Sequence, residues 1–265
     1  MIKARRWLGR NAIRIYAVIA FTYLFIPVAY TLAFSFNDSG KSNIAWRGFT
    51  LDKWKNPCGA PDVCPALGNS LKIGLLATLI ATVLGTMIAF ALARHRFRGR
   101  TGTNLTIFLP MATPEVVLGA SLLALFLNLK INLGFNTIVI AHVMFCISFV
   151  VVTVKARIAG LDPRLEQAAM DLYADEFQTF RRITLPLVAP GIAAGALLAF
   201  SLSFDDFIIT NFNSGDVNTF PKFVWVSSLR GIPAQANVIG SAMFFLALAL
   251  VLVGTFIAGR GKAKM

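Results

Sequence analysis

Six long apolar runs divide this chain, and no other feature limits its fold as much. They cover residues 15–36, 71–93, 105–127, 137–154, 187–212 and 238–258. A helix that crosses the hydrocarbon core of a bilayer needs about 20 apolar residues, and each run is near that length. Of the 265 residues, 57% are hydrophobic and only 14% are charged, against about 25% charged in an average soluble domain. So few charges cannot give such a chain the polar skin of a water-soluble globule. A soluble enzyme, a secreted disulfide scaffold and a disordered tail are excluded on that ground. The expected fold is all-α and integral to the membrane, with six transmembrane helices in a single domain over 1–265. The lipid bilayer is then its first expected partner.

The first run is too long for a cleaved secretion signal, whose apolar part is about 7–15 residues, and it reads as a retained span. Orientation follows from the basic residues, which stay on the cytoplasmic side. Lys3, Arg5, Arg6, Arg10 and Arg14 precede the first run without an acid among them. Arg94-His95-Arg96-Phe97-Arg98-Gly99-Arg100 follows the second, and Arg260, Lys262 and Lys264 lie in the tail. Between the third and fourth runs the one basic residue is Lys130. Both termini are therefore expected in the cytoplasm, with 37–70, 128–136 and 213–237 outside. The net charge of +13 records this orientation, and no nucleic-acid partner is expected, because no basic stretch has the context of a reader module.

Residues 155–186 differ from the other turns. Lys155, Arg157, Arg164, Arg181 and Arg182 are balanced by Asp162, Glu166, Asp171, Asp175 and Glu176. Asp162-Pro163 reads as a helix cap followed by proline in the first helical position. Leu165, Ala168, Ala169 and Leu172 then recur at helical spacing along one face. Phe177 and Phe180 continue a second short helix expected to end near Thr184-Leu185-Pro186. A helix lying on lipid would favour Lys and Arg, so the mixed charge points to a docking helix for a cytoplasmic partner.

In this loop Gln167-Ala168-Ala169 is followed after three residues by Tyr173, and after nine more by Ile183-Thr184-Leu185-Pro186. That spacing resembles the EAA loop of ABC importer permeases, in which Glu-Ala-Ala, a glycine and Ile-x-Leu-Pro are set at the same intervals. Here Gln167 replaces the glutamate, with Glu166 adjoining it, and Tyr173 replaces the glycine. The glycine turns the chain between two short helices in that family, where a tyrosine with positive φ would be strained. The segments Trp46-Arg47-Gly48-Phe49-Thr50, Arg96-Phe97-Arg98-Gly99, Leu109-Pro110, Pro114-Glu115 and Ser201-Leu202-Ser203-Phe204-Asp205-Asp206 resemble the second permease subunit of spermidine/putrescine importers. The resemblance covers nearly the whole chain. It implies the type I ABC importer permease fold in a bacterial inner membrane and the import of polyamines. It also implies three kinds of partner: a second permease subunit, two ATP-binding subunits and an extracytoplasmic substrate-binding protein. It places Glu166, Gln167, Ala168, Ala169, Asp171, Tyr173, Glu176, Ile183, Leu185 and Pro186 in the ATPase-coupling loop.

Of twelve Asp and Glu residues, only Glu115, Asp205 and Asp206 fall within apolar runs. A carboxylate inside a bilayer is costly unless it faces protein, water or a cation. Glu115 would lie about 15 Å along a continuous third span, and Asp205 about 27 Å along the fifth. Adjacent carboxylates repel, and a polyamine would supply the cations they lack. Two readings stay open for the aspartates: a cationic substrate path, or an interfacial role capping a helix or pairing with Lys222 or Arg230. Glu115 likewise either lines the path or satisfies backbone groups freed near Pro110 and Pro114. Ser203 either joins the path or packs. Trp46 either anchors at the membrane interface or holds a cation over its ring, and the resemblance favours the second.

Cys58 and Cys64 share a loop on the oxidising side and are expected to pair in a disulfide. Zinc is not expected there, since neither histidine lies in that loop. Cys146 reads as core packing and His142 as a satisfied core histidine. Residues 220–230 read as a short helix ended by Gly231-Ile232-Pro233, to which the resemblance gives a gating or docking role. No Gly-x-x-x-x-Gly-Lys-Ser/Thr, nucleophile–base pair or metal-ligand cluster is present. No cofactor is expected, and the chain is not an enzyme: ATP hydrolysis belongs to a partner. The rivals are a permease of the same type for an anion or ferric iron, a secondary transporter, and a membrane-bound enzyme.

Overall fold

The computed structural model describes the backbone of residues 2–40 and 42–262, and the side chains of residues 11–40 and 42–254. Of the basic residues that set the orientation, Lys3, Arg5, Arg6, Arg10, Arg260, Lys262 and Lys264 have side chains outside the described residues. In chain order the helices are α1 (Ile2–Phe34), α2 (Asp52–Lys55), α3 (Val63–Arg94), α4 (Arg100–Ala112), α5 (Glu115–Asn128) and α6 (Phe135–Ala159). They continue as α7 (Arg164–Asp171), α8 (Glu176–Thr179), α9 (Leu185–Asp205), α10 (Ile208–Asn213), α11 (Phe220–Arg230) and α12 (Ala234–Lys262), with a π-helical turn, Phe180–Thr184, between α8 and α9. The one isolated β-bridge, Asn37 to Phe49, is the nearest approach to a sheet among the described residues.

Five segments are long and apolar enough to cross a membrane: Asn11–Phe34, Val63–Arg94, Phe135–Ala159, Glu176–Asp205 and Ala234–Gly254. The sixth expected span is not one helix. The apolar run 105–127 breaks between α4 and α5, which are bent by 108°. The cause is local. Thr113, ahead of Pro114, is extended at φ −85° and ψ 131°, because a proline excludes the α conformation from the residue before it. The continuous helix assumed when Glu115 was placed about 15 Å along a span is therefore corrected: Glu115 opens the second of two helices. The fifth run also ends early, since Asp206 leaves the helix with ψ 124° and α10 starts afresh at Ile208. The second short helix of the 155–186 loop does not end near Pro186 as expected. It runs through the π turn into α9, where Pro186 occupies the first turn, a position that needs no N–H donor.

The chain divides into two compact units, Pro65–Phe223 and Met1–Cys64 with Val224–Met265. In the first, α6 is the most enclosed span, with 56% of its most apolar stretch buried. Ala141, Phe145, Val150, Val151 and Val154 of α6 meet Val188 and Ala199 of α9 in one core, along with Leu118 and Leu122 of α5. Cys146 is buried in this core, its thiol directed at the Ala199 carbonyl 3.4 Å away. In the other unit Ser241 of α12 reaches the Thr31 carbonyl of α1 at 3.4 Å. Asn37 organises the following loop: its amide donates to Asn43 Oδ1 at 2.7 Å and to Ala45 O at 2.8 Å, and its Oδ1 accepts the Arg47 N–H. Phe36 stacks between Phe49 and Trp54, and Cys58 and Cys64 are joined by a disulfide with Cα atoms 5.3 Å apart.

Candidate functional site

The break after α9 builds a polar centre inside an otherwise apolar bundle. Asp206 is only 8% exposed. Its Oδ2 accepts the Thr210 N–H at 2.8 Å, and its Oδ1 accepts the Ile209 N–H at 3.3 Å. These are orphan donors of the first turn of α10, so Asp206 acts as the cap of that helix. His142 of α6 completes the arrangement. Its Nε2 lies 3.2 Å from Asp206 Oδ2 and 3.0 Å from Thr210 Oγ1, and its Nδ1 lies 2.7 Å from Ser203 Oγ. A carboxylate can only accept, so Nε2 carries the hydrogen that faces it.

The same short helix is held from two further directions. Asn213 donates to Gly119 O of α5 at 3.2 Å, and Thr137 Oγ1 of α6 donates to Asn213 O at 2.7 Å. A Cβ on Gly119 would lie 2.9 Å from the Phe212 ring, so only glycine admits α10 this close to α5.

The structure thus separates the two adjacent aspartates. Asp206 is enclosed and partnered, whereas Asp205, the last residue of α9, is exposed. Glu115 is exposed at the start of α5, a position that favours a carboxylate because the helix dipole is positive there. Both aspartates lie within electrostatic reach of Glu115. The two broken spans therefore gather all three membrane acids, two open and one spoken for. Ser203 is buried and occupied with His142. Lys222 does not meet the acids: its ammonium donates to Ser214 Oγ at 2.7 Å, Gly215 O at 3.1 Å and Val217 O at 3.3 Å. Trp46, in the other unit, sets its ring edge-on to Phe34 at 6.1 Å and is about half exposed.

The 162–186 loop is a second, separate surface. Asp162 Oδ1 accepts the Arg164 N–H at 2.9 Å and caps α7, and Asp175 caps α8 through the Gln178 N–H at 2.7 Å. Between them Tyr173 has φ +63°. The Tyr173 N–H bonds to Met170 O and the Ala174 N–H to Ala169 O, the paired bonds of a Schellman helix end, which calls for a left-handed residue. A tyrosine there carries roughly 1–2 kcal/mol of backbone strain. Tyr173→Gly is expected to keep the turn, and Tyr173→Val to disrupt it, since a β-branched residue is a genuine outlier at positive φ. Limited proteolysis of the loop should show glycine no faster than wild type and valine faster than both.

Glu166 does not sit on the outer face of this loop. Arg94, at the end of α3, binds both of its carboxylate oxygens, and Thr184 Oγ1 donates to Oε1 at 2.5 Å. The clamp ties α7 to α3 and to the base of α9. Burial alone would raise the Glu166 carboxyl; the hydrogen bonds from Arg94 and Thr184 and the Arg94 charge outweigh it and hold it below its ordinary value. A depressed pKa contributes stability that is complete above the unfolded value of 4.5 and is lost as pH falls through the folded value. The clamp is therefore intact at neutral pH. The loop also exposes three large side chains: Leu172 is 82% exposed, Tyr173 98% and Phe177 69%. Gln167, Ala168, Asp171 and Glu176 are exposed beside them, Ala169 is half-buried, and Ile183 and Leu185 lie at the base of the loop, where it enters α9.

His142 is the satisfied core histidine expected from the sequence, but its partners were not legible there. Its partners lie 61 and 68 residues away, and the one available signal was a histidine inside an apolar run.

Helices long enough to span a bilayer, acids gathered where two spans break, and a structured loop with an apolar face define a multi-pass membrane transport component. The chain belongs to the binding-protein-dependent transport system inner membrane component family, whose model matches residues 81–260. It is 36% identical over 245 residues to the spermidine/putrescine transport system permease protein PotC of Escherichia coli, covering 92% of each chain. It is 38% identical over 233 residues to the putrescine transport system permease protein PotI of the same species, covering 84% of this chain and 82% of that one. Among solved structures, a chain of a bacterial ABC transporter for import of the acidic polysaccharide alginate shares its fold, with TM-score 0.66, 15% identity and 96% of each chain covered. A chain of the MetNI methionine ABC transporter does so with TM-score 0.61 and 12% identity, covering 74% of this chain and 94% of that one.

Proposed function

We propose that this chain is a permease subunit that carries polyamines into a bacterial cell, driven by ATP hydrolysed in a separate subunit. The relatives' names supply the substrate class. The observation that carries it on this chain is the pair of exposed carboxylates, Asp205 and Glu115, at the breaks of two spans. Uncompensated acids at such a place need a cation, and a flexible amine with several ammonium groups provides more than one. An anion would call for Lys or Arg in their place. Trp46, exposed in the 37–62 loop, suits cation capture over its ring.

In this reading the whole chain works as one permease domain in the inner membrane, with both termini in the cytoplasm. A second permease subunit completes the path, and a binding protein delivers the amine from outside. Of two ATP-binding subunits, one docks on the 162–186 loop and the other on its counterpart in the second permease, and Leu172, Tyr173 and Phe177 offer the apolar surface that such docking buries. Closing of the ATPase pair moves α7, and the Arg94–Glu166–Thr184 clamp passes that movement to α3 and α9.

The test is affinity purification of the chain from its native membrane, followed by labelled putrescine and spermidine uptake in cells lacking and regaining it. Recovery of an ATP-binding subunit with polyamine uptake supports the proposal, and uptake independent of the chain contradicts it. For the clamp, Glu166→Gln keeps size and removes the charge. Uptake per ATP hydrolysed is expected to fall roughly three- to tenfold, the loss of one charge-assisted bond, with abundance unchanged.

A further inference from the structure

His142 forms three side-chain contacts and is 1% exposed. Its ring joins α6 to the last turn of α9 through Ser203, to the extended residue between helices through Asp206, and to the first turn of α10 through Thr210. Without the histidine, Asp206 would keep two backbone N–H bonds and the Thr210 hydroxyl but lose the ring that faces it, deep among apolar neighbours. A buried carboxylate left without that partner is costly, and the extended residue that carries it shifts, moving the adjoining Asp205 with it.

We infer that His142 is a positioning residue for the cargo: by holding Asp206 it fixes the break after α9, so that of the two adjacent aspartates Asp205 alone meets the ammonium groups. The inference rests on the polyamine-path reading of Asp205 and Glu115. His142 makes no contact with cargo. It decides where the last residue of α9 points. Ser203 fixes the ring by occupying Nδ1 at 2.7 Å, leaving the Nε2 hydrogen for Asp206, as a histidine's second nitrogen generally settles its tautomer. That gives the buried serine a reason within this centre.

The experiment measures labelled putrescine and spermidine uptake by the assembled transporter as a function of concentration, normalised to subunit abundance. The variants are His142→Leu, His142→Gln, Asp205→Asn, and each histidine change combined with Asp205→Asn. His142→Leu is expected to raise KM by up to about tenfold, the same loss as Asp205→Asn, because the freed break takes Asp205 out of its place. His142→Gln, which keeps a donor and an acceptor, should stay within about threefold of wild type. Because His142 acts through Asp205, adding either change to Asp205→Asn should raise KM by less than about twofold further. A purely structural histidine would lower abundance and leave KM alone, and its effect would multiply with that of Asp205→Asn; either result overturns the inference. So does a glutamine variant as impaired in KM as the leucine one. Should His142→Leu fail to accumulate, the glutamine variant and its double carry the same test of coupling. If Asp205→Asn itself leaves uptake unchanged, the path reading fails and this inference with it. If Asp205→Asn impairs uptake and the histidine variants do not, the inference alone fails.

Discussion

Asp205→Asn is expected to lower abundance-normalised polyamine uptake about tenfold, equivalent to roughly 1.4 kcal/mol of cation binding. Asparagine keeps the size and polarity of the side chain and removes only its charge. The residue is exposed at the end of α9 and is not the helix cap, so abundance should hold. Glu115→Gln should act in the same direction, and the double variant further, because the two acids act on one cargo from the starts and ends of different helices. Asp206→Asn should behave differently. Its carboxylate caps α10 and faces His142, and losing a buried hydrogen bond to a charged group costs about 1.5–3 kcal/mol. Loss of protein should accompany loss of uptake there. The comparison is labelled uptake and immunoblot abundance for the three single variants and the Asp205/Glu115 double. Equal abundance across all of them would contradict the different environments of the two aspartates.

Ala169→Asp is expected to abolish transport, lowering uptake by roughly a hundredfold, while leaving insertion of the spans intact. Ala169 is half-buried on α7, and its carbonyl accepts the bond that closes the helix end before Tyr173. Around it the loop holds Leu172, Tyr173 and Phe177 out to water, and an aspartate brought into a docked apolar contact has no partner. Ala169→Ser, similar in volume and uncharged, should retain most uptake. Membrane abundance, recovery of the ATP-binding subunit and uptake measured together separate lost docking from lost folding. Normal uptake by the aspartate variant would remove the loop from coupling.

The spans were legible because lipid leaves a helix no alternative to a long apolar run. The caps were legible for a similar reason. Asp162-Pro163 is a local signal, and its hydrogen bond to Arg164 is where the pattern put it. The turn at Tyr173 was marked by the resemblance, which has a glycine at that position, and the structure gives the tyrosine the left-handed φ. The prolines marked an irregularity near 110–114, but the 108° bend depends on what α5 packs against, and a single sequence does not carry that. The acids were found by their rarity in apolar runs. Their division of labour was not, because it rests on His142 and Thr210, which reach Asp206 only after α6, α9 and α10 come together. Glu166 shows the same limit: its spacing put it in the docking loop, while its clamp to Arg94 and Thr184 spans 72 and 18 residues.

The most direct measurement is uptake into vesicles carrying the assembled transporter with its binding protein, using labelled putrescine and spermidine with and without ATP on the cytoplasmic side. The expected result is saturable uptake that requires ATP, is competed by unlabelled polyamines and not by anions, and falls in Asp205→Asn at constant abundance. Uptake that proceeds without ATP, or competition by an anion with polyamines inert, would contradict it.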